Sequence, residues 1–292
     1  MNYTNKLENY NLGVSDSAIA AIVAKAKKNS TANHNADVYK LCYGCIDLTS
    51  LNVTDSESSI AELARKAMDF GNHFPDIPNV ASLCVYPVFV ETAGVVLGDS
   101  GLRITSVAGG FPSSQTYLEV KMLEIAMAAE NGADEIDMVM NVGQMLTGDY
   151  ELLANEIELI GGEIGGYIVL KVIIESGALI NPSMVRTASL LSMMAGADFV
   201  KTSTGKIPVA ATPEAAVVIC EAIRDYRENT GRKVGFKAAG GIKTSEDAAL
   251  YYTIVKTVLG EEWLNPSLFR IGTSSAANTL LSSITGSEVK YF

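Results

Sequence analysis

Three lysines and an aspartate lie inside apolar runs that have the length of β-strands. Lys201 closes the run ADFVK, Lys171 lies in LKVII, Lys237 in VGFKAAG and Asp137 in DEIDMVM. Charged side chains are costly inside an apolar strand unless they are paired. Each residue taken alone is explained by a structural ion pair, but four of them on successive strands favour a reactive site.

Lysines crowded beside a carboxylate favour covalent chemistry at an amine. Burial and a neighbouring positive charge both lower the pKa of a lysine. A lysine that is neutral near pH 7 can attack a carbonyl group and form a Schiff base, and a nearby carboxylate can then move protons. These arguments make Lys201 the candidate nucleophile. The polar stretch TSTGK after it does not match the P-loop pattern, because Val200 stands at the first glycine and Ile207 follows the second lysine.

Glycine-rich stretches follow the last two candidate strands. AAGGIK contains Gly240 and Gly241, and RIGTSS contains Gly272, Ser274 and Ser275 at a predicted helix start. Backbone N–H groups at a helix start, together with the helix dipole, bind anions. The loops after strands seven and eight are also the usual phosphate position in a parallel barrel. A phosphate site is therefore favoured over plain turns, with TSTGK approaching from the sixth strand.

Strand-length apolar runs alternate with helical segments along the chain. The candidate strands cover residues 41–48, 80–86, 103–109, 134–140, 167–175, 198–203, 233–240 and 268–274. Helix starts are marked at Asn181, Thr212 and Thr244, and residues 118–131 carry apolar side chains such as Val120 and Leu123 at helical spacing.

This alternation predicts a fold of the α/β class, a (β/α)₈ TIM barrel with an N-terminal helical extension over residues 1–38. An open doubly wound sheet is the alternative, but the sequence lacks its G-x-G-x-x-G fingerprint. Because no linker divides the chain, we expect residues 1–292 to form one barrel domain that includes the extension.

Composition excludes several other classes of function. The 292 residues carry 33 acidic and 22 basic side chains, which gives a net charge of −11. An acidic chain repels the phosphate backbone, so we expect no nucleic-acid partner. No apolar run approaches the roughly 18 residues of a membrane span, and no signal segment begins the chain. We therefore expect no membrane partner and a cytoplasmic protein.

Few residues are available for metal or histidine chemistry. His34 and His73 are the only histidines, and both flank predicted helices, so a catalytic triad or a histidine metal centre is disfavoured. Cys42 and Cys45 form one C-x-x-C within a predicted strand and no second pair follows, which disfavours structural zinc and thioredoxin-like chemistry. We expect no metal site.

Seven ordered motifs between Leu41 and Ser275 resemble the deoxyribose-phosphate aldolases, a family of class I aldolases of barrel fold. They are IDLTSL, LCVYPVF, GADEIDMVMN, LKVIIESGAL, GADFVKTSTGK, VGFKAAGGIKT and FRIGTSS. The resemblance implies that the Schiff-base lysine is Lys201 and that a second lysine, Lys237, perturbs it. It further implies that Asp137 relays protons with support from Lys171. The implied substrate and phosphate contacts are Asp47, Cys84, Thr204, Gly205, Lys206, Gly240, Gly241, Lys243, Gly272, Ser274 and Ser275.

The implied reaction is reversible cleavage of 2-deoxy-D-ribose 5-phosphate to acetaldehyde and D-glyceraldehyde 3-phosphate, in deoxyribonucleotide catabolism. It needs no metal or organic cofactor, because the imine itself accepts the electrons. The implied partners are the phosphorylated sugar and further copies of the chain, with a dimer favoured. Other lysine aldolases and transaldolase-like barrels remain alternatives, as does a non-catalytic barrel.

Three positions depart from the family pattern. Ala238 stands where many members have proline. Lys243 stands where many have arginine, which removes a bidentate phosphate donor. Many members end in a tyrosine that reaches the active site, whereas Tyr291 is the penultimate residue of this chain. Either its phenol enters the barrel mouth and assists proton transfer, or the tail has no catalytic role.

Overall fold

A computed structural model describes residues 2–292, and parallel strands within them close into a barrel. The strands are β1 Ile46–Thr49, β2 Ser82–Val85, β3 Arg103–Ala108, β4 Glu135–Val139, β5 Val169–Ile173, β6 Phe199–Lys201, β7 Gly235–Ala239 and β8 Phe269–Thr273. Each strand pairs in parallel with the next along the chain, and β8 pairs with β1. The predicted (β/α)₈ barrel is confirmed, and the open sheet is wrong.

Helices surround the barrel, and those whose starts the sequence predicts begin at the predicted residues. They are α1 Tyr3–Leu7, α2 Asp16–Ser30, α3 Ala36–Gly44, α4 Glu57–His73, α5 Val90–Leu97, α6 Leu118–Glu130, α7 Val142–Thr147, α8 Tyr150–Glu163, α9 Pro182–Met194, α10 Pro213–Thr230, α11 Ser245–Val258 and α12 Ser275–Thr285. The side chains of Asn181, Thr212 and Thr244 each accept a hydrogen bond from the backbone N–H three residues later. These three caps fix the starts of α9, α10 and α11.

The first predicted strand is wrong over most of its length. Residues 41–44 end helix α3, and β1 begins at Ile46. Cys42 therefore lies in a helix and Cys45 is its C-cap residue, rather than both lying in a strand. Apolar residues in this segment, such as Tyr39 and Tyr43, are buried four residues apart, which is the spacing of a helix. The C-x-x-C thiols are free and buried.

The helix predicted over residues 118–131 is confirmed as α6, but several of its apolar side chains face solvent. Val120 and Leu123 are 50% and 61% exposed, whereas Lys121 is fully buried. The Lys121 ammonium lies 2.7 Å from Ser114 Oγ and 2.7 Å from Glu156 Oε1. Because hydrogen bonds to both partners compensate its burial, a lysine occupies a core position and apolar side chains of the same helix face outward.

The N-terminal segment packs along the outer helices. Helix α1 contacts α8 and α9, and α2 contacts α10 and α11. The Tyr3 hydroxyl donates to Glu158 Oε2 at 2.8 Å, and Arg186 Nε donates to the carbonyl of Asn11 at 2.6 Å. The predicted helical extension is therefore held against the barrel at several points. No helix within residues 2–292 combines the length and the apolar character needed to cross a membrane.

The C-terminal residues are anchored on the outer face of α4. Asn278 Oδ1 accepts the backbone N–H groups of Tyr291 at 2.9 Å and of Phe292 at 3.1 Å. The Tyr291 hydroxyl donates to the carbonyl of Lys66 at 2.8 Å, and its ring packs edge-on against Phe70. In this conformation the phenol neither enters the barrel mouth nor hangs free.

Deleting Tyr291 and Phe292 should therefore destabilise the fold. The loss of their aromatic packing on α4 should cost about 2 kcal/mol. For a chain of this size the melting temperature should fall by about 3 °C. Differential scanning calorimetry measures the change, with Lys290→Gln as control because that side chain is 82% exposed. Equal melting temperatures for the truncated and full-length chains would show that the tail is not anchored in solution.

Candidate active site

The predicted lysines converge on one aspartate inside the barrel. Lys201 Nζ lies 2.6 Å from Asp137 Oδ2, and Lys237 Nζ lies 2.7 Å from the same oxygen. Lys171 Nζ lies 2.9 Å from Asp137 Oδ1. All four side chains are buried. The structure thus brings together the four residues that the sequence predicts as catalytic.

Strand register explains this convergence. Asp137 on β4 is the register partner of Lys171 on β5, and Lys201 on β6 is the partner of Lys237 on β7. Side chains alternate between the two faces of a strand, so register partners point the same way. The four strands are consecutive in the barrel, and their inward residues meet near its axis.

Three further charged residues extend the cluster. Asp47 accepts hydrogen bonds from Lys237 and Arg270. Arg270 also binds Glu135 through both of its terminal nitrogens, at 2.7 and 3.0 Å. Lys171 Nζ lies 2.6 Å from Glu135 Oε2. The predicted residue Asp47 is therefore part of a larger network of buried charges.

The sequence analysis missed Glu135 and Arg270. A signal for both is present, since Glu135 precedes Asp137 by two residues in β4 and Arg270 precedes Gly272 by two in β8. Residues two apart in a strand face the same side. Applying that rule to every charged residue of the candidate strands would have placed both side chains inside the barrel.

Lys201 differs electrostatically from the other lysines of the cluster. Burial lowers its pKa and the Lys237 ammonium lowers it further, although Asp137 acts in the opposite direction. Burial alone would also lower the pKa of Lys171 and Lys237, but Asp137 and its neighbouring carboxylates raise both above the ordinary value. Lys201 is therefore the lysine of this cluster that loses its proton most readily.

The carboxylates of the cluster are ionised at neutral pH. Burial acts to raise the pKa of Asp137, but the three lysines around it hold that pKa well below its usual range. Burial opposes ionisation of Glu135 too, yet Lys171 and Arg270 lower its pKa to about 2. Asp137 is consequently a hydrogen-bond acceptor for Lys201 rather than a donor.

A cavity of about 210 Å³ opens above Lys201, at the carboxyl ends of the strands. Besides Lys201, its lining includes Thr49, Leu51 and the loops that follow β6, β7 and β8. The predicted substrate and phosphate residues found in this lining are Thr204, Gly205, Lys206, Gly240, Gly241, Lys243, Gly272, Ser274 and Ser275. The candidate nucleophile and the candidate phosphate loops thus share one cavity.

Close backbone contact shapes this lining. Gly240 has φ +83°, and a Cβ there would lie 2.9 Å from Gly205 Cα and 2.6 Å from Ala210 Cβ. Only glycine allows the loops after β6 and β7 to approach this closely. Thr204 is held by Glu175, which accepts its backbone N–H at 3.2 Å and also its hydroxyl. Glu175 follows β5 and is a further acidic residue at a strand end. It is absent from the residues predicted from the sequence.

The cavity wall is built to attract an anion. Helix α12 begins at Ser275, and its N-cap residue Ser274 makes no side-chain capping hydrogen bond. At the positive end of that helix, the Ala276 N–H donates to Thr273 Oγ1 at 3.2 Å, and the other N–H groups of the first turn can bind an anion. Lys243 is exposed at the rim, while the Lys206 ammonium donates to the carbonyl of Leu51.

Cys84 lies beside the cluster rather than in the cavity lining. It packs in a small apolar group with Leu51 and Val107, and burial raises the pKa of its thiol. Asp47 also lies below the lining, within the charge network. These two predicted substrate contacts are thus close to the reactive lysines without facing the cavity directly.

Comparison with known proteins identifies the family. The sequence profile of the DeoC/LacD family aldolases matches residues 45–262. This chain belongs to the DeoC/LacD aldolase family. The matched region contains the three lysines and Asp137, together with the loops after β6 and β7. Strand β8 and helix α12 lie beyond it.

Individual relatives cover most of this DeoC/LacD aldolase. The human deoxyribose-phosphate aldolase is 44% identical over 82% of this chain and 77% of its own. The Agrobacterium fabrum deoxyribose-phosphate aldolase is 38% identical over 85% of this chain and 92% of its own. The solved Aeropyrum pernix deoxyribose phosphate aldolase, described as tetrameric, superposes with a TM-score of 0.71 at 27% identity, covering 89% of this chain and 97% of the other. The resemblance inferred from the motifs is confirmed.

Proposed function

We propose that this aldolase cleaves 2-deoxy-D-ribose 5-phosphate reversibly to acetaldehyde and D-glyceraldehyde 3-phosphate, through a Schiff base on Lys201. The observation that carries the proposal is a buried lysine of lowered pKa at the floor of a glycine-lined cavity. Relatives named deoxyribose-phosphate aldolase support the choice of substrate. The chemistry requires no metal or organic cofactor.

The reaction begins with attack of the neutral Lys201 amine on the aldehyde carbon C1. The resulting carbinolamine takes up a proton on its hydroxyl and loses water, which leaves an iminium ion. This ion accepts the electron pair of the C2–C3 bond as that bond breaks. The C3 hydroxyl loses its proton, so that C3 becomes the aldehyde of glyceraldehyde 3-phosphate. The remaining enamine is protonated at C2, and hydrolysis of the resulting iminium releases acetaldehyde and restores Lys201.

Asp137 is the group positioned to move these protons. It lies 2.6 Å from Lys201 Nζ, so it is adjacent to any carbon bonded to that nitrogen. Lys171 holds the other carboxylate oxygen at 2.9 Å and so fixes the orientation of Asp137. Burial and charge repulsion from Lys237 lower the pKa of Lys201, and Lys237 is itself held by Asp47 and Asp137.

The phosphate group of the substrate occupies the cavity end formed by the loops after β6, β7 and β8. Backbone N–H groups of the glycine turns and the start of α12 supply donors, and Lys206 and Lys243 supply positive charge. A dianion fixed there orients the sugar so that its C1 carbon reaches Lys201. Lys243 contributes a point charge rather than the planar fork of an arginine.

Borohydride added together with acetaldehyde should attach an ethyl group to Lys201, because reduction traps the imine. Peptide mass spectrometry locates the adduct, and a coupled assay measures cleavage of 2-deoxy-D-ribose 5-phosphate. Lys201→Met should abolish both signals, whereas Lys206→Met, which removes another lysine of the same cavity, should retain trapping. An adduct on Lys171 or Lys237 would contradict the assignment. Trapping without cleavage of this sugar would favour a different lysine aldolase, and the absence of both would favour a non-catalytic barrel.

A negative charge at Gly241 should weaken phosphate recognition selectively. Gly241 has φ +82°, and a Cβ there would meet no heavy atom of residues 2–292 within 4 Å. Gly241→Asp and Gly241→Asn impose the same backbone strain and nearly the same shape, but only the first adds charge. Gly241→Asp should raise KM for the phosphorylated sugar about tenfold over Gly241→Asn. Equal effects of the two variants, or an equal effect on unphosphorylated deoxyribose, would argue against a phosphate site here.

We also propose that residues 1–292 act as one domain with residues 1–38 as its extension, in the cytoplasm. The chain is further proposed to be a homo-oligomer, with a dimer favoured. Support comes from apolar side chains exposed along α6 and beside it, namely Val88, Tyr117, Val120, Leu123 and Met127. Contiguous exposed apolar surface of this kind marks an interaction site. A second copy of the chain is its expected occupant, since the Aeropyrum pernix relative is described as tetrameric.

Charges introduced on this face should dissociate the oligomer. Leu123→Glu combined with Met127→Glu places two carboxylates in an apolar interface and should yield monomers. Light scattering coupled to gel filtration measures the molar mass. Tyr167→Glu is the matched control, because Tyr167 is also apolar and 96% exposed but lies outside this face. A monomeric wild-type chain, or a double variant with unchanged mass, would overturn this assignment.

A further inference from the structure

Arg270 and Glu135 form a buried ion pair that takes no part in the steps described above. Arg270 is 3% exposed and Glu135 is fully buried, and they share two hydrogen bonds of 2.7 and 3.0 Å. Arg270 also donates to Asp47 Oδ1, whose other oxygen accepts from Lys237. The pair is therefore connected to the lysine cluster through hydrogen bonds.

Positively and negatively charged side chains alternate along this connection as far as Lys201. Contacts lead from Arg270 to Asp47, then to Lys237, Asp137 and finally Lys201. Without Arg270, Asp47 would draw Lys237 more strongly and away from Asp137. Asp137 would then hold a proton on Lys201 more firmly. A change at one end of the series thus alters the charge of the amine at the other.

The number of carboxylates near each cation shows which one yields its proton. Within residues 2–292, the cluster sets Lys171, Lys201, Lys237 and Arg270 against Asp47, Glu135 and Asp137, so it is neutral only when one cation is deprotonated. An arginine keeps its proton. Lys171 lies within 3.5 Å of three of these carboxylates and Lys237 contacts two, whereas Lys201 contacts one. A net charge of zero for the cluster is therefore reached most readily when Lys201 is the deprotonated cation.

We propose that Arg270 and Glu135 are positioning residues that set the charge of Lys201. With Arg270, the cluster holds four cationic side chains against three carboxylates, so Arg270 supplies the excess positive charge that favours a neutral Lys201. Glu135 is one of the three carboxylates and reduces that excess. Both act through Asp47, Lys171 and Asp137, and neither touches the substrate. The inference rests on the proposed function, in which Lys201 must be neutral in order to attack the carbonyl.

Other charged or titratable groups around Lys201 come from every neighbouring strand and loop. They are Asp47 on β1, Cys84 on β2, Arg103 on β3, Glu135 and Asp137 on β4, Lys171 on β5, Glu175 after β5, Lys206 after β6, Lys237 on β7, Lys243 after β7 and Arg270 on β8. Arg103 also contacts Glu135, at 3.1 Å, but its side chain is 50% exposed and solvent screens its charge. It therefore offers a matched control for Arg270.

The pH dependence of kcat/KM for sugar phosphate cleavage tests the proposal, because it reports the ionisation of the free enzyme. Activity requires neutral Lys201, so the rate falls as the pH falls through the pKa of that lysine. The acid limb is the part of the pH profile in which the rate falls as the pH falls. Arg270→Gln should raise the pKa of Lys201 and move this limb to higher pH, whereas Glu135→Gln should lower that pKa and move the limb to lower pH. Charges about 10 Å apart at an effective dielectric constant of about 20 shift each other's pKa by about one unit, which is the displacement expected in each direction.

Further variants separate charge from packing. Arg270→Lys keeps the charge but loses the two-pronged hydrogen bonding, so its acid limb should match the wild type even if its melting temperature falls. Arg103→Gln should also match the wild type. The double variant Glu135→Gln with Arg270→Gln restores the original sum of charges and should return the limb close to the wild-type position. If Arg270→Gln does not fold, Glu135→Gln and the double variant still decide the question.

Acid limbs at the same pH in all folded variants would overturn the proposal. Shifts of the same sign in Arg270→Gln and Glu135→Gln would also overturn it, since a general loss of packing in the barrel interior gives that result. The pH dependence of borohydride trapping at Lys201 should move in parallel with the kinetic limb. Wild-type enzyme that gives no adduct at Lys201 would overturn the proposed function itself. Normal trapping with unshifted limbs would overturn only the role of the Arg270–Glu135 pair.

Discussion

The site is organised around the desolvation of Asp137 and the cations that compensate it. A carboxylate without solvent in a barrel interior is stable only if ammonium groups and hydrogen bonds replace its water. Three lysines do so, and they come from three consecutive strands. Because such an arrangement tolerates little displacement, the register of β4 to β7 and the position of the reactive amine are determined together.

Space for the Lys237 side chain comes from small residues on β7 itself and on the adjacent strand β8. A Cβ on Gly272 would lie 3.1 Å from Lys237 Cε and 2.9 Å from Ala239 Cβ. In many barrels, branched apolar side chains fill this interior in layers. Here lysines fill much of it, and a glycine and an alanine lie beside Lys237. The barrel thus gives up part of its apolar core to hold charge, while the apolar faces between the strands and the surrounding helices supply the hydrophobic burial.

The sequence predicts an element correctly where several residues agree on the same local structure. A lysine in an apolar strand, a proline after an N-cap residue and paired glycines after a strand each led to the correct element. The prediction failed where a local pattern fits two structures. Residues 41–44 are apolar enough for a strand but end a helix. Tertiary contacts decide such cases, and these contacts are not encoded in the local pattern.

Glu135 and Arg270 illustrate a different limit. Each lies in a strand that the sequence identifies correctly and within a quoted motif, GADEIDMVMN or FRIGTSS, yet the motif alone gives neither residue a role in the chemistry. Their importance follows only from how many carboxylates each cation contacts, and that number requires coordinates. Lys201 contacts one carboxylate, whereas Lys171 and Lys237 contact more. In the proposed mechanism, the reactivity of Lys201 is therefore a property of the whole network, in which Arg270 and Glu135 influence which amine is free to react without touching the substrate.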